Sequence, residues 1–209
     1  MLGVGMNKNP SIVVFDIGNV LLRWDMHYLY ESYFQNRDAA QAFIDETGLE
    51  AWNLEQDRGR NWEEAEAALI PSFPQYETEI KAYRKHWQHM VPGVIAGTVL
   101  IKERLEALNT PLYAITNFAA DTFAECQDRF PTLKAFIDIV ISGDEKLIKP
   151  DPAIYRVLLE RNNLDASDCL FIDDSAKNVE AARAVGMHAH HFTSPYLLAQ
   201  DLRGYGFDV

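Results

Sequence analysis

From residue 94 onward, short apolar runs alternate with segments of helix length. Strand-like runs cover residues 111–115, 137–141, 169–172 and 188–192, and helix-like segments cover residues 94–108, 120–129, 153–162 and 179–185. Another apolar run lies near the N-terminus, within residues 11–22. Strands separated by helices of this length are typical of βαβ units, which place their strands parallel in one sheet. The sequence therefore predicts an α/β fold with a parallel sheet.

Residues 26–91 have a different character, being rich in aromatic residues, Ala, Glu and Gln. Their apolar residues recur at helical spacing, and Gly48 and Gly59 are typical of breaks between helices. This segment, called the helical insertion below, is predicted to form a small helical cap domain after the first strand. The predicted core domain then consists of residues 1–25 and 92–209.

Asp16 stands directly after the apolar run Ile12-Val13-Val14-Phe15, and Gly18 follows it. Open α/β sheets place their chemistry at the carboxyl ends of buried strands, and glycine lets a ligand approach the backbone closely. A carboxylate there can attack phosphorus and form an aspartyl-phosphate, which water then hydrolyses. The alternative interpretation is a turn or capping aspartate. We predict that Asp16 is the catalytic nucleophile.

Two adjacent carboxylates, Asp173 and Asp174, follow the predicted strand at residues 169–172. Neighbouring negative charges repel each other, and a bound cation offsets that repulsion. Ligand sets made only of oxygen favour Mg²⁺. The alternative is helix capping, because Asp174 precedes a predicted helix. The pair is predicted to bind Mg²⁺.

Thr116 and Asn117 end the predicted strand at residues 111–115, and Lys149 precedes Pro150. A hydroxyl, an amide and backbone N–H groups can hold a phosphoryl group by hydrogen bonds. The ring of Pro150 restricts the backbone of Lys149, whose ammonium group can neutralise the phosphoryl group and the nucleophile. Taken singly, these residues are also compatible with an ordinary loop and a solvated surface lysine.

The order of these motifs resembles that of the haloacid dehalogenase-like hydrolase superfamily, over nearly the whole chain. The segments that carry the resemblance are Asp16-Ile17-Gly18-Asn19-Val20, Thr116-Asn117, Lys149-Pro150-Asp151-Pro152 and residues 173–187. The resemblance implies a Rossmann-like core, with the helical insertion as a cap in the first insertion position. It implies that Asp16 is the nucleophile and a Mg²⁺ ligand. The further Mg²⁺ ligands would be the backbone carbonyl of Gly18 and the carboxylate of either Asp173 or Asp174. Thr116 and Asn117 would bind the transferring group, and Lys149 would steady it.

One position departs from the pattern of the phosphatases in this superfamily. Most of them carry a second Asp, a general acid and base, two residues after the nucleophile, where this chain has Gly18. General acid catalysis contributes roughly 10²–10⁴-fold. This departure has three alternative consequences. The substrates have good leaving groups; or a residue of the cap, a substrate hydroxyl or a metal-linked water supplies the proton; or the protein has little or no activity. The segment Asp16-Ile17-Gly18-Asn19-Val20-Leu21-Leu22 also resembles a bacterial subgroup that includes sugar-1-phosphate phosphatases, which favours good leaving groups.

The resulting prediction is a phosphatase acting on a small phosphorylated metabolite. A 2-haloacid dehalogenase is the first alternative, although such enzymes usually have an aromatic residue and Gly-Thr after the nucleophile and a less acidic last motif. A non-catalytic binding relative is the second alternative, and Gly18 is the only feature that supports it.

The net charge of −12 argues against nucleic acid or an anionic membrane as a partner. No apolar run approaches the roughly 18 residues of a membrane span, and the N-terminus lacks the features of a signal peptide. The expectation is a cytoplasmic protein, monomeric or weakly dimeric.

The helical insertion should select the substrate. Arg58 and Arg60 are candidates to reach an anion, although a solvated helix face is the favoured interpretation. Four tryptophans are candidates for the entrance of the site, although packing within the insertion is favoured: Trp24, Trp52, Trp62 and Trp87. Asp25, near the hinge of the insertion, is a less favoured candidate for proton transfer.

Overall fold

The computed structural model describes residues 9–209 and contains a five-stranded, fully parallel sheet. The strands are β1 (Ile12–Phe15), β2 (Leu112–Thr116), β3 (Asp138–Ile141), β4 (Cys169–Asp173) and β5 (His188–His191). Their order across the sheet is β3-β2-β1-β4-β5. The predicted parallel α/β sheet is therefore confirmed, and the predicted ends of β2 to β5 differ from the observed ones by at most one residue.

Within residues 9–209 the chain forms eleven α-helices. They are α1 (His27–Tyr30), α2 (Arg37–Thr47), α3 (Leu49–Asp57), α4 (Trp62–Leu69), α5 (Glu77–Lys85), α6 (Ala96–Ala107), α7 (Ala120–Arg129), α8 (Ser142–Glu145), α9 (Pro152–Arg161), α10 (Ala176–Ala184) and α11 (Pro195–Gly204). Short 3₁₀ helices cover Ile70–Ser72, Pro74–Tyr76, Trp87–Met90, Pro131–Ala135 and Ala166–Asp168. No helix in this part of the chain has both the length and the apolar character that crossing a membrane requires.

Helices cover both faces of the sheet. Because the side chains of a strand point alternately to opposite faces, β1 contributes to the apolar clusters on both sides. Val13 and Phe15 of β1 pack in one apolar cluster with residues of α6 and α11. Val14 lies in the opposite cluster, with residues of α9 and α10. Each of these β1 side chains is fully buried, which is worth about 1.5–3 kcal/mol per side chain. The near-continuous apolar run of β1 is thus explained by burial on both faces.

The helical insertion contains α1 to α5 and has its own aromatic cluster. The Phe43 ring lies 4.9 Å from Tyr30, 5.0 Å from Phe34 and 5.0 Å from Tyr76, measured between ring centroids. The predicted breaks are observed: Gly48 ends α2 with a φ of 62°, and Gly59 follows α3 with a φ of 99°. The helical character of this segment agrees with the prediction, while its exact limits as a separate domain remain a prediction.

Two stretches of chain connect the helical insertion to the sheet, and they run side by side. The Arg23 N–H donates to the Gly93 carbonyl at 2.9 Å, and the Asp25 N–H donates to the Met90 carbonyl at 3.0 Å. Leu22 and Val94 form an antiparallel bridge next to them. The insertion therefore leaves and rejoins the core at one place, directly after β1.

The order of the strands determines where polar residues meet. The chain places β2 and β3 on one side of β1 and then crosses to place β4 and β5 on the other side. Such a switch point opens a crevice at the carboxyl ends of the strands. Asp16 follows β1, Thr116 ends β2 and Asp173 ends β4, so all three residues lie at the same edge of the sheet.

Candidate active site

Asp16 continues the line of β1 at this edge. Its N–H donates to the Ile172 carbonyl of β4 at 2.8 Å, which ties the backbone to the neighbouring strand. Its Oδ1 accepts a hydrogen bond from the Ile17 N–H at 2.7 Å and lies 2.7 Å from Nζ of Lys149. Within residues 9–209 no group donates to Oδ2 of Asp16. One carboxylate oxygen is thus held by the protein, and the other is available to a ligand.

Lys149 connects the two central strands electrostatically. Its buried ammonium nitrogen lies 2.8 Å from Oδ2 of Asp173 and donates to the Ile115 carbonyl at 3.0 Å. Burial by itself would lower the pKa of Lys149, but the carboxylates of Asp16 and Asp173 outweigh this effect and raise the pKa above its ordinary value. Lys149 is therefore a buried, charged ammonium group between two carboxylates.

The side chain of Asn117 holds the backbone of Lys149. The Lys149 N–H donates to Oδ1 of Asn117 at 2.8 Å, and Nδ2 of Asn117 donates to the Lys149 carbonyl at 3.0 Å. These two bonds occupy both ends of the Asn117 amide. Asn117 thus positions the lysine in this structure, a role that its place after β2 did not suggest.

Thr116 offers a hydroxyl group without a partner. Its side chain is 1% exposed, and its Oγ1 is buried with no hydrogen-bond partner in the described part of the chain. A buried hydroxyl without a partner costs about 1–3 kcal/mol. An acceptor brought by a ligand would remove that cost.

Asp173 and Asp174 differ in their surroundings, although they are adjacent. Asp173 is fully buried, and its carboxylate accepts from the Ser175 N–H at 2.8 Å and from Nδ2 of Asn178 at 3.0 Å, in addition to Lys149. Asp174 is exposed and lines the large cavity described below. The protein's own donors therefore bond the carboxylate of Asp173, whereas the carboxylate of Asp174 faces the cavity.

The three carboxylates together form a candidate cation site. One ligand oxygen from each of Asp16, Asp173 and Asp174 lies within 4.8 Å of the others. Burial and the nearby charges of Asp173 and Asp174 raise the pKa of Asp16 against the opposing effect of Lys149. Partial desolvation and the charge of Asp173 likewise raise the pKa of Asp174. One ammonium group does not fully offset this crowding of negative charge, and an oxygen-only donor set suits Mg²⁺.

A cavity of about 570 Å³ separates this edge of the sheet from the helical insertion. On the sheet side it is lined by Asp16, Gly18, Asn117, Lys149 and Asp174. Its size is within the usual range for small-molecule sites. A Cβ atom built on Gly18 would meet no atom within 4 Å. The position of the missing acid is therefore open space within the cavity.

Asp57, at the end of α3, is a cavity residue that the sequence did not single out. Its carboxyl group accepts hydrogen bonds from Nδ2 of Asn53 at 3.0 Å and from the Ala119 N–H. Burial raises the pKa of Asp57 to about 7, against the lowering effects of these bonds and of Lys149. Because Ala119 belongs to the core, Asp57 links the two parts of the chain across the cavity.

Other candidate residues lie away from the cavity. Arg60 donates to Oε1 of Gln56 at 2.6 Å and to the Trp52 carbonyl at 3.1 Å, and neither Arg58 nor Arg60 lines the cavity. Asp25 is bonded to His27 and Arg37, which outweigh its burial and lower its pKa. Neither arginine nor Asp25 is therefore placed to contact a ligand beside Asp16.

Comparison with protein families identifies the class to which the chain belongs. A model of the haloacid dehalogenase-like hydrolases matches residues 10–186. Because this match covers most of the chain, the protein belongs to the haloacid dehalogenase-like hydrolase family and is a hydrolase. The family resemblance stated from the motifs is confirmed.

Several curated proteins are similar to the chain. A sesquiterpene phosphatase of Aspergillus oryzae is 26% identical over 91% of this chain and 93% of its own length. A phosphoglycolate phosphatase of Photobacterium profundum is 30% identical over 52% of this chain, which spans about half of that relative's length. Both relatives are phosphatases by name.

A solved structure shares the fold. It is a HAD family enzyme of Bacteroides thetaiotaomicron in complex with magnesium and inorganic phosphate, 21% identical, with a TM-score of 0.66 over 88% of this chain and 95% of that chain. At this level of identity, the likeness supports the fold alone. It confirms the Rossmann-like core with a helical insertion.

Proposed function

We propose that the protein is a Mg²⁺-dependent phosphatase that hydrolyses a small phosphorylated metabolite through an aspartyl-phosphate on Asp16. The observation that carries the proposal is the position of the Lys149 ammonium group, 2.7 Å from Asp16 and 2.8 Å from Asp173, with Asp174 beside them at the cavity. The sesquiterpene and phosphoglycolate phosphatases among its relatives support the cleavage of phosphate esters.

We assign three groups to Mg²⁺ as ligands: the carboxylates of Asp16 and Asp174 and the backbone carbonyl of Gly18. Asp173 belongs to the same cluster, but its oxygens already accept bonds from Lys149, Ser175 and Asn178. We therefore assign to Asp173 the role of holding Lys149 and to Asp174 the direct contact. When bound, Mg²⁺ would act as a Lewis acid on the phosphoryl oxygens.

In the first chemical step, one carboxylate oxygen of Asp16 attacks phosphorus, the ester P–O bond breaks, and the alcohol leaves as an alkoxide that takes a proton from water. Lys149 neutralises charge on the phosphoryl oxygens, and the Thr116 hydroxyl donates to one of them. In the second step, water hydrolyses the mixed anhydride, which releases inorganic phosphate and restores the carboxylate. Preorganised positive charge of this kind usually contributes strongly to catalysis.

Gly18 limits which alcohols leave readily. Its position carries no side chain that transfers a proton, so esters whose alcohol is stabilised as an anion need the least help. Sugar-1-phosphates are esters of this kind, and acyl phosphates, which are anhydrides, release a carboxylate that needs no proton. On the leaving-group argument alone, a sugar-1-phosphate is the more specific candidate.

The test is release of phosphate from a panel of phosphorylated metabolites, with Mg²⁺ and with EDTA, by the wild type and by Asp16→Asn. We expect release that requires Mg²⁺ and is lost in the variant, while circular dichroism shows that the variant is folded. Equal release by the variant would exclude Asp16 as the nucleophile.

The dehalogenase alternative has its own assay. Release of chloride from 2-chloropropionate in EDTA, without release of phosphate from any ester in the panel, would favour it over a phosphatase. The adjacent carboxylates Asp173 and Asp174 argue against this alternative, because attack on carbon needs no cation.

A further inference from the structure

Large apolar side chains line the same cavity as Asp16. They come from three regions: the segment after β1, the helical insertion and the loop after β2. The residues are Trp24, Met26, Trp62, Tyr83, Trp87 and Phe118. Methionine adapts its shape to apolar ligands, and aromatic rings offer flat apolar surfaces. These side chains, called the apolar chamber below, thus share one cavity with the candidate phosphate site.

Two of the chamber's three tryptophans, Trp62 and Trp87, direct their polar edges away from the cavity. The indole N–H of Trp62 donates to the carboxylate of Asp121 at 2.9 Å, and that of Trp87 donates to Glu125 at 2.7 Å. Both acceptors lie on α7. These two rings therefore have no N–H donor left for a hydroxyl group of a ligand.

The rings also support each other in place. Trp62 and Tyr83 stack with centroids 5.8 Å apart, and Trp87 meets Phe118 edge-on at 6.2 Å. Trp87, Tyr83 and Met26 are each at most 4% exposed. Because their partners and their burial fix these side chains, the apolar wall is a preformed surface.

Polar groups on the insertion side of the cavity are partly engaged as well. Nδ2 of Asn53 donates to Asp57, whose carboxyl group also accepts from Ala119. A sugar placed between Trp62, Trp87 and Phe118 would set hydroxyl groups against three rings that have no free donor or acceptor, and each unpaired buried hydroxyl costs about 1–3 kcal/mol. An apolar group would instead gain from burial.

We infer that the substrate is the phosphate monoester of a bulky apolar alcohol or phenol, with the phosphate at Asp16 and Lys149 and the apolar group between the rings of Trp62, Trp87 and Phe118. This inference rests on the proposed function, since it uses the same phosphate site, and it selects an apolar ester over a sugar phosphate.

Binding of phosphonates tests the inference without turnover, because their C–P bond is not hydrolysed. Methylphosphonate, butylphosphonate and 3-hydroxypropylphosphonate are compared by calorimetry in Mg²⁺. We expect affinity to rise by up to about fourfold per added methylene, which is 0.8 kcal/mol converted at 1.4 kcal/mol per tenfold. Butylphosphonate should bind about ten times or more tighter than its hydroxyl isostere.

A pair of variants localises the effect. Leu54 lines the cavity and is 42% exposed on α3, whereas Leu100 is 66% exposed on α6 and lies outside the cavity. Leu54→Gln should reduce the advantage of butylphosphonate over methylphosphonate several-fold, and Leu100→Gln should leave it unchanged. Both are surface positions on helices, so both variants should fold.

The outcomes separate the two proposals. Equal affinity for the butyl and hydroxypropyl compounds, or no difference between the two leucine variants, overturns the apolar assignment whether or not esters are cleaved. Tighter binding of butylphosphonate that depends on Leu54 supports it. If in addition phenyl phosphate, 4-butylphenyl phosphate and glucose 1-phosphate all remain uncleaved, the apolar site stands and the phosphatase proposal fails.

Discussion

The ammonium nitrogen of Lys149 lies 2.7 Å from Oδ1 of Asp16, so that one oxygen of this carboxylate is occupied by a fixed charge and Oδ2 remains for a ligand. The same nitrogen lies 2.8 Å from Asp173. Two strands that are far apart in the sequence are thus joined by one buried cation, and this cation sets the electrostatics of the whole site.

Replacing Lys149 by methionine should destabilise the protein when no Mg²⁺ is present. The change leaves Asp16 and Asp173 without their buried counter-charge, and breaking a buried pair in this way typically costs about 3–5 kcal/mol. The measurement is the free energy of unfolding in urea, with EDTA and with Mg²⁺. Lys177→Met, at an exposed position on α10, is the matched control. Equal stability of the two variants in EDTA would contradict this account.

Asp174→Asn and Asp173→Asn should have different effects. Asp174 faces the cavity, so its loss should weaken Mg²⁺ binding with little change in stability, while Asp173 is fully buried and holds Lys149. Asp173→Asn should therefore lower the melting temperature in EDTA as well. Calorimetric titration with Mg²⁺ and thermal unfolding measure the two effects. A similar loss of Mg²⁺ affinity and of stability in both variants would refute the distinction.

Gly18→Asp should increase activity towards simple alkyl phosphates relative to p-nitrophenyl phosphate, whose leaving group needs no proton. The added Cβ meets no atom within 4 Å, and general acid catalysis is worth at most roughly 10²–10⁴-fold. The quantity to measure is the ratio of kcat/KM for the two esters. Gly18→Asn has nearly the same size without an acid and should leave the ratio unchanged. An unchanged ratio in Gly18→Asp would mean that the new carboxyl group does not reach the leaving oxygen.

Asp57 should make the protein less stable as the pH rises. Burial raises the pKa of Asp57 from 3.8 to about 7, so between these values the folded state binds more protons than the unfolded state. The contribution of Asp57 to the free energy of unfolding is therefore fully present below about pH 4 and falls as the pH rises towards 7, by at most about 4 kcal/mol.

Asp57→Asn should remove this part of the pH dependence. Unfolding in urea at several pH values between 4 and 8 should give a flatter profile for the variant than for the wild type. Asp38→Asn, at an exposed position at the start of α2, is the control and should retain the wild-type slope. Parallel profiles for the wild type and Asp57→Asn would show that Asp57 is not buried as described.

The sheet and much of its polar edge followed from local sequence patterns. Burial on both faces requires a continuous apolar run, so the strand ending at Asp16 was visible without tertiary information. The paired Asp173 and Asp174 were visible for the same reason, as charges directly after such a run. Helix starts were less accurate: α10 begins at Ala176 and not near Val179, because the chain turns into the helix directly after Asp173 accepts the Ser175 N–H.

What the sequence by itself determined is therefore the parallel α/β fold and the residues that end its strands, because short-range patterns of burial encode both. Only the tertiary structure decided which role each of those residues has in the site. It bonds Asn117 to the backbone of Lys149, which lies 32 positions later in the chain, and it assigns Asp173 to the lysine and Asp174 to the cavity. It also brings Asp57 against Ala119 and turns the indole N–H groups of Trp62 and Trp87 towards α7. Such contacts depend on how the helical insertion packs on the sheet, which no local pattern of residues specifies.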